Sequence, residues 1–502
     1  MSLRFAIALT AISLLFAMPT GLPARSQPAA ESSAAPEDIP WPIQVGRRIT
    51  ALRTRIPTVD RVVLVPDEAT FLVAIQEWSL SGRWPILIED DRYTPLFLQK
   101  FQPAEVVRLP AVGTPVPEGE ALREAMQVAV APAWNAPDAR SLPVTWRRLN
   151  WSPPGVVFTW EADSAWPAAV ALAADRGQPL SFLEGDYGAV NEAISDPLLW
   201  ERLNSAIEDG VAASGYDYAG TGDAIDTITV VRELPVQYDK RAVTDWLARH
   251  PTQKRWAVAG WLFGSAERSL YQAMCAIFLT TESVLVYNSY AADEEPWITY
   301  STDDAAALFE AANLNVRHVK PPEADRQAWL SLSEAGSFAF DAILMSSRGP
   351  RKRFRVGAGQ ARVGDIPQLA APTAVHLIHS GSAAAPADPD TVAGRWLENG
   401  AYAYVGSVRE PFLSAFIPPR LLAARLLRGA PFLMAARYYD LKPWRITTIG
   451  DPLMTLSPPR DRLAPAQIPL RSRSASRLDL NTMNLNTMNL NIINTDAVLA
   501  AD

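Results

Sequence analysis

Cysteine is almost missing. Cys275 is the one thiol in 502 residues, so no disulfide can close within the chain. Histidine is nearly as scarce, with four, and a metal pair built on His376 and His379 has no further Cys or His beside it, so no metal or other cofactor is implied. Positive charge is also short. The 46 Lys and Arg are outnumbered by 54 Asp and Glu, giving a net charge of −8 and a pI near 5.3. Such a balance argues against a nucleic-acid partner, which asks for a basic excess. Beyond the N-terminal segment no apolar run approaches the roughly 20 residues that a membrane-spanning helix needs, so no membrane span is expected after its removal. Glycine (26) falls well below proline (42), so loops should be many and stiff.

What is present suits a folded chain of two or three domains, since apolar residues make up 48%. Arg4, the apolar stretch Phe5 to Met18 and the small residue Ala24 read as a secretory signal peptide over residues 1–24, which predicts an exported protein, periplasmic or extracellular. The Ala-, Pro-, Ser- and Glu-rich stretch that follows reads as a linker over residues 25–49. Residues 461–502, with RSRSASR and the tandem Asn-Thr-Met-Asn-Leu repeat, read as a disordered Asn-rich tail without a catalytic role.

Between these ends there is an internal duplication. DRVVLVPDEATFLVAIQEWSLSGRWPILIED (60–90) and PGVVFTWEADSAWPAAVALAADRGQPLSFLE (154–184) each begin with a Val-Val strand, at Val62-Val63 and Val156-Val157. An apolar-periodic helix follows, then a proline opening the next strand, Pro85 or Pro179, 23 positions after the first valine in both. This predicts two βαβ units within an α/β domain over 50–235, each needing a neighbour to cover its apolar face. The first unit weakly resembles the α/β repeats of bacterial cell-wall-binding modules, which run strand, helix and "PIL" strand.

From about residue 240 to 460 the pattern changes. DKRAVTDWLARH, ERSLYQAMCAIFL, PRLLAARLLRG and PFLMAARYYD read as helices, the third ended by Gly429. SVLVYNSY, NVRHVK, AFDAILMSS, TAVHLIH and AYAYVGS read as strands. Alternation of this kind predicts a mostly parallel, doubly wound sheet. Its ligands should sit at the carboxyl ends of the strands, at Ser347-Arg348-Gly349, His379-Ser380-Gly381 and Gly406-Ser407.

The ordered series AFDAILMSSRG, TAVHLIHSGSA, NGAYAYVGSVREPF and ITTIGDPLM resembles the caspase-like cysteine peptidases of the gingipain type over roughly residues 280–460. Gly400-Ala401, Gly406-Ser407 and Gly450-Asp451-Pro452 carry it. The resemblance implies a caspase-like sheet. It also implies a catalytic His before a glycine at the end of one strand and a Cys at the end of the next. Here Arg348 precedes Gly349, and His379 or Ser380 stands where the thiol belongs. A guanidinium stays protonated and cannot act as a base, and a serine hydroxyl needs a positioned base. His379 and Ser380, as strand neighbours, should point to opposite faces and form no nucleophile–base pair. Cys275 falls in an apolar-periodic helix, which reads as a buried structural thiol.

One stretch nearby has binding chemistry. RGPRKRFR (348–355) places Arg348, Arg351, Lys352, Arg353 and Arg355 in a loop beside the expected ligand edge, and guanidiniums take carboxylates and phosphates through paired hydrogen bonds. The candidate binding residues are Arg348, Arg351, Arg353, Ser380 and Ser407, with an anionic peptide or glycan as partner. Glu89-Asp90-Asp91 and Asp293-Glu294-Glu295 read as solvated loop charge. His250 and His318 read as surface residues. Most of the 16 tryptophans read as core. The expectation is an exported, non-catalytic, peptidase-like protein that binds or assembles at the cell envelope. The alternatives are an active hydrolase with rearranged catalytic residues, and a structural protein with an adhesive tail.

Overall fold

The computed structural model describes residues 39–471, apart from residues 292, 335–337 and 440–441. The signal-peptide segment and the Asn-rich repeat lie outside the described residues. The linker expected over 25–49 does not extend through its last nine positions, because a helix, α1, runs from Trp41 to Arg55. Pro42 sits in its first turn, where a missing N–H costs nothing. Val45, Ile49 and Leu52, at helical spacing, give it a buried stripe. Val45 and Ile49 pack with Val258, Met434 and Leu453, so the helix belongs to the core of the later sheets.

Both halves of the duplication fold as expected. β1 (Arg61–Val65) leads through α2 (Glu68–Ile75) to β2 (Ile86–Ile88), and β3 (Glu105–Arg108) returns on the other side of β1. β4 (Gly155–Thr159) leads through α3 (Trp166–Arg176) to β5 (Leu180–Phe182). Then β6 (Thr227–Val231) and β7 (Val258–Leu262) extend the sheet in the order β7-β6-β4-β5. The repeat extends to the hydrogen-bond ladder. Val63 faces Ile86 and Val157 faces Leu180, the same parallel register. The valine N–H groups donate to Pro85 and Pro179 carbonyls at 2.9 and 3.0 Å. A boundary near residue 240 falls between β6 and β7, two strands of one sheet.

The third sheet repeats the start of the other two. β8 (Ser283–Asn288) is central, with β9 (Asn315–Val319) on one side and β10 (Ala342–Ser346) on the other, all parallel. An antiparallel hairpin, β11 (Arg353–Val356) and β12 (Gly359–Arg362), interrupts the series. Then β13 (Thr373–Ile378) and β14 (Ala401–Ser407) continue in parallel, and β15 (Ile446–Ile449) closes the edge antiparallel. The order is β9-β8-β10-β13-β14-β15. The protein is thus α/β with several mostly parallel sheets.

Three expectations need correction. DKRAVTDWLARH is helical only over Val243–Trp246, because Asp239, Lys240 and Ala248 adopt positive φ and turn the chain on either side. PFLMAARYYD is helical only over Phe432–Ala435. Residues 461–471, assigned to the tail, are fastened to the first sheet. Leu463 pairs with Val59 beside β1, the Arg61 guanidinium donates to the Pro465 and Ile468 carbonyls, and Leu470 is buried.

The sheets are joined by buried charge as well as apolar packing. α3 is buried along its whole length and lies against a helix spanning Ala266–Phe278, α4. Arg176, at the end of α3, donates to Asp451 at 2.9 Å, with both side chains essentially inaccessible. Asp451 also accepts from the Leu453 N–H at 2.9 Å. The Gly450-Asp451-Pro452 stretch therefore clamps the second sheet onto the third.

Candidate functional site

The ends of β10, β13 and β14 meet at one edge of the third sheet, and the loops leaving them enclose an open cleft of about 770 Å3. Its lining includes Glu294, Arg348, Arg355, Gln360, Ser380 and Glu410. Three strands of apolar, β-branched and small residues place this edge, since β10, β13 and β14 are buried at every position. Arg348, Ser380 and Glu410, two or three positions past the strand ends, are left at the rim.

The chain after β10 turns sharply at Gly349, whose φ is 150°. A Cβ there would stand 2.5 Å from the Arg353 carbonyl oxygen, so only glycine lets β11 fold back this closely. That same carbonyl accepts a hydrogen bond from His379 Nε2 at 2.8 Å. The His379 proton therefore resides on Nε2, and Nδ1 is buried without a hydrogen-bond partner among the described residues. Burial pushes the imidazole down to about 4, so it is neutral near pH 7.

Ser380, the next residue, points the other way. Its Oγ donates to Glu410 Oε1 at 2.7 Å on the cleft side. The loop is locked from below by Ser407, whose buried hydroxyl donates to the His379 carbonyl at 2.7 Å and accepts from the Gly381 N–H at 2.8 Å. His379 and Ser380 thus bond to different partners, the Arg353 carbonyl and the Glu410 carboxylate.

The basic segment is divided in its roles, and it is a hairpin strand in its second half rather than a loop. Arg355 lies within hydrogen-bond reach of both carboxylate oxygens of Glu294, at 2.8 and 3.1 Å, and sits over the Tyr290 ring at 4.6 Å. Arg348 lies over the same ring at 5.7 Å and is exposed. Among the described residues its guanidinium has no carboxylate partner. Arg351, Lys352 and Arg353 are exposed and do not line the cleft. Arg353 contributes its carbonyl to the His379 contact, not its charge to the cavity. Of the candidate binding residues, the structure brings Arg348 and Ser380 to the cleft and sets Ser407 beneath it. It leaves Arg351 and Arg353 outside, because the strand pleat and the turn aim them away.

Glu294, expected as solvated loop charge, instead neutralises Arg355 inside the cleft. Glu410 and Tyr290 were missed. Their signal was faint, a single acid in VREPF and a tyrosine after β8, and the sheet alone brings them to Ser380 and Arg348. Cys275 is buried in α4 against Tyr271, and desolvation pushes its thiol well above the ordinary range. His376 is buried on β13 with its ring perpendicular to that of Phe416, and burial pushes it down to about 4 as well. His318 is half-buried rather than on the surface, bonded to Thr302 Oγ1 at 2.9 Å. No cluster of three or more metal-ligating side chains is found among the described residues.

No protein-family model and no curated protein matches the chain. Among solved structures, it is similar to the Arg-specific cysteine proteinase gingipain R, with a TM-score of 0.43 and 13% identity over 60% of this chain and 78% of that one. It is also similar to the complex of the pro- and mature domains of Porphyromonas gingivalis RgpB, with a TM-score of 0.37 and 11% identity over 60% of this chain and 79% of that one.

Proposed function

We propose that this chain is an exported, non-catalytic protein of gingipain-type build that uses the cleft at the carboxyl edge of its third sheet to hold an anionic group, on an acidic peptide or a charged glycan at the cell envelope. The observation that carries the reading is the state of the cleft. Its cation Arg348 makes no ion pair among the described residues, although Glu294 and Glu410 line the same cleft, and the imidazole beside it is bonded to the Arg353 carbonyl. An exposed guanidinium over an aromatic ring is a ready partner for a carboxylate. A guanidinium has no basic lone pair, and of the two His379 ring nitrogens Nε2 is bonded to the Arg353 carbonyl and Nδ1 is buried, so neither group is placed to take a proton from a nucleophile in the cleft. The four sequence segments that resemble the gingipain type form four adjacent strands of one sheet, β10, β13, β14 and β15.

The test measures binding of an oligoglutamate peptide and of a uronic-acid oligosaccharide to the wild type and to Arg348→Ala. At least one should bind, with loss of most affinity in the variant. Unchanged binding of both, or none in the wild type, ends the proposal. One contact favours a second reading. The Ser380–Glu410 hydrogen bond in an open cleft is the only nucleophile–acid pair there among the described residues. A fluorophosphonate probe that labelled Ser380, with labelling lost in Glu410→Gln, would establish a serine hydrolase in place of the binding protein.

A further inference from the structure

A second cavity, of about 350 Å3, opens between the C-terminal end of α1, the turn after α4 and residues 459–462. Four basic side chains border it: Arg53, Lys100, Arg460 and Arg462. Two of them are neutralised. Lys100 Nζ lies 2.7 Å from Asp341 and 3.1 Å from Glu282. Arg462 lies 2.9 Å from Asp60 and over the Phe101 ring.

The other two have no carboxylate. Arg53 donates only to neutral acceptors, Ser457 Oγ at 2.7 Å and the Leu279 carbonyl at 3.3 Å. Arg460 is half-buried and makes no hydrogen bond or ion pair among the described residues. Asp461, the remaining acid at the cavity, is exposed to solvent.

The imbalance extends inward. Arg53 and Arg460 both feel the charges of Arg176 and Asp175, and those two are joined in turn to Arg83 and Asp451. Four guanidiniums thus share two carboxylates beneath the cavity, while at its mouth Lys100 holds two carboxylates and Asp461 faces solvent, so the unpaired positive charge is local to Arg53 and Arg460. Desolvation and the neighbouring guanidiniums push Arg53 down to about 9. Buried charge without a counter-charge is costly, and a mobile anion removes the cost.

We propose that this cavity binds a doubly charged oxyanion, a phosphate or sulfate group either free or carried as an ester, between the guanidiniums of Arg53 and Arg460. The planar N–H forks of arginine match tetrahedral oxyanions. The hydroxyl-bearing side chains of Thr58 and Thr280 border the same space as further donors. Two adjacent guanidiniums without a carboxylate partner suit a dianion better than chloride or a single carboxylate. This site is remote in the fold from the cleft of Arg348 and independent of its reading.

The experiment measures thermal unfolding and calorimetric binding with inorganic phosphate, inorganic sulfate and a hexose 6-phosphate, each against sodium chloride at equal ionic strength. The wild type should be stabilised by the dianions and not by chloride. A stronger response to the hexose phosphate identifies an ester as the favoured form, and equal responses identify the bare oxyanion. Arg460→Gln should weaken phosphate at least about tenfold, as expected for loss of a charge-assisted contact, and Arg460→Lys should restore part of it. Arg348→Ala should leave the response unchanged. No response beyond chloride, an undiminished response in Arg460→Gln, or loss of the response in Arg348→Ala would each overturn the proposal.

Discussion

Two imbalances of protonation are built into β13 and the loop after it, and their cost can be calculated. His376 and His379 are essentially inaccessible, and burial holds both down to about 4 from an ordinary value of 6.5. Both are therefore neutral in the folded protein, while an unfolded chain protonates them near 6.5. Their contribution to stability is intact above about pH 6.5 and is lost as the pH falls toward 4. At pH 5 each imidazole should have removed about 2 kcal/mol, a figure that follows from linkage between those two values. Asp226 acts in the opposite direction. Burial raises its carboxyl to about 7, so it gains stability as the pH falls through that value. The wild-type profile alone mixes the two signs, and a variant must separate them. His376→Leu should lose about 2 kcal/mol less than the wild type between about pH 7.5 and about pH 5 in urea unfolding, whatever its stability at the upper pH. The same difference should appear as an NMR titration of His376 near 4. If the variant and the wild type lose the same stability over that interval, the imidazole is not held neutral, and the argument that burial disarms the histidines of this strand fails.

Gly349→Ala should disturb the cleft without touching its charge. The added methyl would press on the Arg353 carbonyl, 2.5 Å away, so hairpin and imidazole must shift. A loss of about 1–3 kcal/mol in urea unfolding with weaker peptide binding is expected, and wild-type behaviour would refute the close-approach reading. Asp451→Ala should cost about 1–3 kcal/mol, because it removes the carboxylate that accepts from two nitrogens of the inaccessible Arg176 guanidinium and leaves only Asp175, 3.1 Å away, as its counter-charge. A cost under about 1 kcal/mol would mean that the contact is not a clamp. Cys275 should resist maleimide in the folded protein and react promptly in urea, since its thiol is buried and held protonated. Fast labelling under native conditions would contradict that placement.

The sheets were legible where apolar residues run in short, continuous blocks. VVLV, VVF, SVLVYN, AILMS and TAVHLI became strands, and the equal spacing from valine to proline in the duplication proved to be an equal ladder register. The recurrence of that start at β8 was not legible, because its second strand, NVRHV, carries charge at an exposed sheet edge. RGPRKRFR concealed a hairpin because only Phe354 and Val356 face inward between the arginines, too few to mark a strand. The cleft was half legible. Strand ends located Arg348 and Ser380, but Glu410 reaches Ser380 and Glu294 reaches Arg355 across the fold, and sequence separation hides such pairs. Asp451 and Arg176 are hidden for the same reason. The helix at Trp41–Arg55 was missed because proline-rich composition outweighed a stripe of only three apolar positions.

The anchoring of residues 461–471 to β1 has a consequence for how the molecule forms. Besides its ion pair with Glu105, Arg61 takes two acceptors from positions more than 400 residues later. The opening sheet therefore cannot reach its finished state while the ribosome is still translating the middle of the chain, and long-range closure of this kind is slow. Early βαβ units must wait, partly assembled and vulnerable to aggregation, until a late stretch arrives to seal them. Truncating the protein at residue 460 would thus remove a structural latch along with everything downstream, and self-association of such a fragment would report an unsealed sheet rather than any adhesive tail.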